Sequence, residues 1–154
     1  ANSARITGSV ASPSPTFGGL KGSRNVPNLF TTAAGNNESV LAATAVTGFA
    51  LNPGDGKFDT YTGIIANFAA GTTITKTGLG TQVFGGASTC SGGTTVSEGT
   101  LLVANSTGSG TDTGPVTVDA AGILGGSGRI ATTGAIDVSG TLVPGTNTSA
   151  GVLT

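Results

Sequence analysis

The chain contains no histidine, a single cysteine (Cys90) and seven carboxylates in 154 residues. These counts set the limits of its chemistry. A Ser-His-Asp or Cys-His arrangement needs an imidazole to carry the proton, so neither can be assembled from this chain alone. Carboxylate chemistry remains, because glycoside cleavage needs only two carboxyl groups flanking a bond. The candidates are Asp112, Asp119 and Asp137, with Glu98 and Arg129 nearby in sequence. Each stands singly in a turn or at a strand end, where solvated Asp normally sits. A hydrolase or lyase site would require two of them within about 5–9.5 Å of each other in a groove.

Other chemistry is no better supplied. The loop "DGKFD", Asp55 to Asp59, holds two carboxylates, but calcium takes about six to eight oxygen ligands and this spacing is too sparse, so it reads as a turn. The glycine-rich "GGSGR", Gly125 to Arg129, lacks the Lys-Ser/Thr of a phosphate loop and reads as a corner. Asn37, Asn105 and Asn147 stand in Asn-x-Ser/Thr sequons. Cys90 has no intrachain partner and is expected to be a buried small hydrophobe, with an intermolecular link as the alternative. We therefore assign no catalytic, cofactor-binding or metal-binding residue, and expect a protein that is not an enzyme and needs no cofactor.

The elements that would position these residues follow from composition. Glycine accounts for 28 residues, threonine is nearly as frequent, and only 8% of residues are charged. Disordered chains are poor in apolar residues, whereas this one is 36% hydrophobic and should fold, mostly into strands closed by glycine turns. A net charge of −1 with six scattered basic residues gives no electrostatic case for nucleic acid or an anionic membrane. No apolar run reaches the roughly 20 residues of a spanning helix, so membrane insertion is not expected. The start, "ANSARI", resembles a mature terminus after removal of a signal peptide, and an extracellular or cell-surface location is expected.

From about Gly71 the chain becomes regular. Short β-branched segments such as "TTITKTG", "TTVSEG", "TLLVAN" and "AIDVSG" recur, each closed by a glycine turn and centred six or seven residues apart. A larger period runs through Gly80, Gly99, Gly122 and Gly140, spaced by 19, 23 and 18 residues. Three short strands and three turns in roughly 20 residues is the arithmetic of a right-handed parallel β-helix, in which each rung stacks on the last. The longer unit carries "NSTGSGTDTG", read as an insertion at one corner. Leu101, Val103, Val116, Val118, Ile123, Ile130, Ile136, Val138 and Leu142 are expected to face inward. Before that, residues 1–37, rich in Pro and Gly, read as an N-terminal arm with loops, and 38–154 as the β-helical domain. "NLFTT" and "ESVLAATAVTGFAL" read as further strand, the latter with a short helix as the alternative.

The run "ITKTGLGTQVFGGASTCSGGTTVSEGTLLVANSTGSGTDTGPVTVDAAGILGGSGRI" resembles the autotransporter-associated β-strand repeat found in autotransporter passenger domains and other large secreted bacterial proteins. The pieces that carry the resemblance are Ile74 to Thr81, Cys90 to Val96, Gly99 to Leu101, Leu124 to Gly128 and Gly140 to Gly145. Cys90 stands where such repeats prefer Tyr. The resemblance implies a surface-exposed or secreted β-helical stalk with an adhesive, structural or display role. It also implies a C-terminal membrane barrel, which the sequence does not contain, so a fragment, a processed passenger or another export route is expected.

Parallel β-helices also host polysaccharide-active enzymes, a distant third reading here. An uncapped last rung at "SAGVLT" and a free strand in "ARITGSVA" lead to the first reading. It is a structural subunit of an extracellular fibre, sheath or layer whose partner is itself, head to tail, through β-strand addition. The second is an adhesin or display stalk contacting a host or matrix surface through corner loops such as Asn105 to Pro115.

Overall fold

A computed structural model describes residues 14–26, 47–67, 69–146 and 149–150. The elements are β1 (Thr16–Phe17), β2 (Gly48–Leu51), β3 (Phe58–Tyr61), β4 (Thr73–Lys76), β5 (Thr81–Phe84), β6 (Gly93–Val103), β7 (Val116–Gly126), β8 (Ile136–Val138), β9 (Thr141–Thr146) and β10 (Ser149–Ala150). All pairings between these strands are parallel except that of β10 with β9, and an isolated bridge between Ser88 and Ser109 is also antiparallel. The result is an all-β solenoid of about four turns.

One side of the solenoid carries β1, β2, β4, the start of β6, the start of β7 and β8. A second side carries β3, β5, the remainder of β6 and β7, and β9. β6 and β7 each run 11 residues around the corner between these sides, with a register shift between Val96 and Glu98. The third side expected as strand is laid in bends. Hydrogen bonds such as Val26 N to Ile64 O (2.9 Å), Thr89 N to Ile65 O (2.8 Å), Thr113 N to Cys90 O (2.9 Å) and Thr133 N to Thr113 O (2.9 Å) still tie each coil to the one before. Each coil is thus two strands and an irregular third side that bonds to its neighbour through selected amides.

The glycine spacing read from sequence is the pairing register. Thr81 pairs with Thr100, Gly99 with Gly122 and Ile123 with Thr141, the same offsets of 19, 23 and 18 residues. The stacking explains why the corner is glycine. A Cβ on Gly80, Gly99, Gly122 or Gly140 would lie 2.3, 2.2, 2.2 or 2.3 Å from a backbone carbonyl of the coil before it or of the corner itself. Any larger residue would push coils apart that must stay about 4.8 Å apart to keep their hydrogen bonds.

Strand alternation sorts the side chains. Phe49, Ile74, Thr94, Val116 and Ile136 form one inward row, and Leu51, Lys76, Val96, Val118 and Val138 the next. On the second side Asp59, Gln82, Leu101, Leu124 and Leu142 stack, beside Tyr61, Phe84 and Val103. Outward, Thr75, Thr95 and Thr117 stack in a half-exposed row.

Two expectations need correction. Ile123 does not face inward: it lies in the outward row between Thr100 and Thr141, and Leu124 takes the buried position. The glycine before it sits in the corner, which shifts the alternation by one residue. The described part of the expected N-terminal arm, residues 14–26, is a coil of the solenoid. There Thr16 pairs with Ala50, Gly22 bridges Tyr61, and the Tyr61 hydroxyl donates to Arg24 O. "NLFTT", "ARITGSVA" and residues 38–46 lie outside the described residues.

Candidate functional site

The candidate carboxylates differ in exposure, and the two exposed ones stand on neighbouring strands. Asp112 is fully buried, with its carboxyl inside the solenoid, whereas Asp119 and Asp137 are exposed on β7 and β8. Glu98 sits half-buried at the β6 corner and Arg129 is exposed on the third side of the next coil. In the "DGKFD" turn, Asp55 is exposed while Asp59 faces inward and pairs with Lys21 at 2.9 Å, so the two point apart. Among the described residues no group of three His, Cys, Asp or Glu side chains is placed to hold a metal. Nor is any helix among them long and apolar enough to cross a membrane.

The "GGSGR" segment is a corner, as read: a Cβ on Gly126 would lie 2.0 Å from Val103 O. Asn105 is buried and stapled. Its amide donates to Thr107 O (3.1 Å) and Gly108 O (3.2 Å), and its carbonyl accepts from Arg129 N (3.0 Å). The insertion at this corner exposes Ser106, Thr107 and Gly108, but its second half folds inward, with Ser109, Gly110, Thr111 and Asp112 buried. Asn37 and Asn147 lie outside the described residues.

Sequence reasoning did not identify the polar side chains that hold the interior together. Lys76 is fully buried in a row otherwise made of Leu51, Val96 and Val118. Its ammonium donates to Thr77 O (2.9 Å), Gly78 O (2.7 Å) and Glu98 O (3.0 Å). An ammonium has three donors, and all three are used to tie one corner to the next. Burial lowers its pKa to about 8, against the raising influence of Glu98. Gln82, also fully buried, donates to Leu20 O (3.0 Å), Asp59 O (3.0 Å) and Val83 O (3.2 Å) and accepts from Leu20 N (2.9 Å). Its amide pairs with the Leu20 backbone as a strand would and spans two coils. The signal for both was present: each lies two residues from, or in register with, an inward residue.

Cys90 is a free, fully buried thiol whose Sγ lies 3.5 Å from Ile65 O, as the burial reading expects. Burial, and after it the nearby Asp112 carboxylate, pushes the thiol up to about 12. Asp112 Oδ2 accepts from Thr94 Oγ1 at 3.1 Å, while Oδ1 is buried without a hydrogen-bond partner. Burial raises its carboxyl to about 7, against the pull of the Thr94 hydroxyl and of the Gly114 and Gly93 backbone.

The surface most unlike an ordinary protein exterior lies at the last described coil. Ile136 and Val138 continue the inward rows of β7, and Leu142 that of Leu124, yet they are 48%, 40% and 46% exposed. Val143 beside them is 38% exposed. Among the described residues the edge of β8 away from β7 carries no further strand, and that of β9 carries only the two-residue antiparallel β10, opposite Gly145 and Thr146. An apolar face bordered by open strand edges can receive another strand layer.

Residues 74–103 match the family model described as the passenger-associated-transport-repeat. The matched stretch runs from β4 through β5 to the end of β6, slightly more than one coil, and includes Lys76, Gln82, Cys90 and the Gly99 corner. Together with the solenoid, it shows an autotransporter passenger-like β-repeat. A repeat of this type implies a secreted or surface-exposed protein. No curated protein and no solved structure matches the chain.

Proposed function

We propose that this chain is a structural length of a bacterial extracellular solenoid, and that copies of it join head to tail by β-strand pairing into a fibre, sheath or layer. The observation that carries the reading is the apolar end coil, where Ile136, Val138 and Leu142 continue buried rows but lie exposed. A coil seated there would cover three large aliphatic side chains, each worth about 1.5–3 kcal/mol when fully buried. It would also satisfy the edge amides of β8 and of β9 ahead of Gly145, where β10 pairs. A contact between unlike ends does not close on itself, so it propagates.

The passenger-like repeat supports an extracellular setting. The adhesin reading places specificity in the Asn105–Pro115 corner. That corner packs its central residues inward, and this favours the structural reading. No step of chemistry and no cofactor enters this function, and partners other than the chain itself are not required. Electron microscopy of the purified chain is expected to show rods whose length distribution shifts upward with protein concentration. Uniform single particles at every concentration would overturn the reading.

A further inference from the structure

We propose that Asp112 is a proton-operated clasp on the third side of the β6 coil, closed when its carboxyl is protonated and loosened when it ionises, with Cys90 as the group uncovered. The geometry is that of a carboxyl built for its neutral form. It is fully enclosed, its Oδ1 has no partner, and its Oδ2 accepts from the Thr94 hydroxyl, in an inward row with Ile74 on one side and Val116 on the other, with the Gly93 and Gly114 backbone close by. An ionised carboxylate in such a place is expensive unless a cation or several donors compensate it. Among the described residues the ion pair is that of Lys21 with Asp59, at the other end of the solenoid, and no cation contributes to the Asp112 environment. The titratable group facing Asp112 from the preceding coil is the Cys90 thiol, whose own ionisation Asp112 opposes; from β6 it is faced by Thr94, which does not titrate.

The clasp also has something to hold. Ser109 Oγ donates to Asp112 O (2.7 Å) and accepts from Ala131 N (3.0 Å), linking this coil to the next. Thr113 N and Thr113 Oγ1 both donate to Cys90 O, linking it to the one before (2.9 and 3.0 Å). Loosening the segment from Ser109 to Thr113 therefore frees both neighbours and opens a path to the buried sulfur.

The sign follows from the raised carboxyl. A group that holds its proton up to about pH 7 when folded, against 3.8 when free, contributes fully below pH 4. That contribution is lost as pH rises through 7. The opening equilibrium should thus increase by roughly tenfold per pH unit between pH 4 and 7, about a thousandfold in all, and level off above.

The test combines denaturant unfolding across pH 4–9 with maleimide labelling of Cys90 at pH 5.5 and 7.5, normalised to a free cysteine peptide. The wild-type chain should lose stability up to pH 7 and plateau, and its normalised labelling should rise by roughly tenfold or more. Asp112→Asn, which keeps the shape and cannot ionise, should flatten both profiles. Thr94→Val, which removes the donor to Oδ2, should move the midpoint to higher pH. A wild-type profile that is flat from pH 4 to 7 would overturn the proposal whether or not the variants fold. So would an Asp112→Asn variant that folds and keeps the wild-type pH dependence.

Discussion

Replacing Gly99 with alanine should destabilise the chain by about 4 kcal/mol, a large part of the about 5–15 kcal/mol that holds an ordinary domain together. Two independent demands meet at this residue. Its φ is +67°, and a Cβ there would lie 2.2 Å from Gly78 O and 2.8 Å from Gly80 O. The left-handed backbone alone costs roughly 1–2 kcal/mol for a residue with a Cβ. The close approach to the corner of the preceding coil adds about 1–3 kcal/mol of overpacking, because a carbonyl in a stacked ladder cannot rotate away as a side chain can. Two other glycines separate the demands. Gly56 has the same φ of +67° with nothing within 4 Å, so Gly56→Ala should cost only about 1 kcal/mol. Gly18 has neither constraint, and Gly18→Ala should stay within about 0.5 kcal/mol of neutral. Denaturant midpoints of the three variants would check the order; a Gly99→Ala variant no worse than Gly56→Ala would show that the coils are not stacked at this corner.

The second large effect is expected at Lys76. Lys76→Ala should cost about 4 kcal/mol, because it leaves the carbonyls of Thr77, Gly78 and Glu98 without their donor and opens a void in a row that is fully buried. Lys76→Met keeps most of the volume and loses only the hydrogen bonds, so about 2 kcal/mol is expected. Equal losses for the two variants would mean that the hydrogen bonds alone explain the residue, and a neutral Lys76→Met beside a costly Lys76→Ala would mean that packing alone does. Neutral behaviour of both would mean that the ammonium is outside the core. Hydrogen exchange gives a second check, since the amides around the 77–80 corner should lose protection in both variants.

These two residues show what the sequence displays and what it conceals. The glycine corner was legible because its cause is steric and periodic: only glycine tolerates the stacked position, so the register appears directly as the spacing of Gly80, Gly99, Gly122 and Gly140. Strand direction followed from the same repeat, since segments centred six or seven residues apart are too short for a hairpin meander and three of them suit one turn of a coil. Lys76 was hidden because residue type usually decides burial, and a lysine is seldom buried. Only its position two residues after Ile74 marks it as inward, and its three backbone acceptors come from corners that no local pattern connects. Asp112 misled in the same way. It sits in a Ser/Thr/Gly-rich stretch that reads as a solvated turn, yet the insertion folds into the third side and takes the carboxyl with it.

The N-terminal coil was missed for a different reason. β1 is two residues long and pairs only with the distant β2, and the residues after it, Leu20, Lys21 and Arg24, are held by Gln82, Asp59 and Tyr61, between 37 and 62 positions later. Segments held by such distant partners carry little pattern of their own, and the prolines there read as loop.

The proposed fibre forms only if the exposed coil at β8 and β9 joins copies together. Sedimentation velocity of the wild-type chain beside a Val138→Asp/Leu142→Asp double variant measures this most directly. Both positions are 40% or more exposed, so the substitutions should leave the far-ultraviolet circular dichroism unchanged while placing charge on the joining face. The expected result is a concentration-dependent series of larger species for the wild type and a single monomeric boundary for the variant. A wild-type chain that stays monomeric throughout, or a variant that associates as the wild type does, would contradict it.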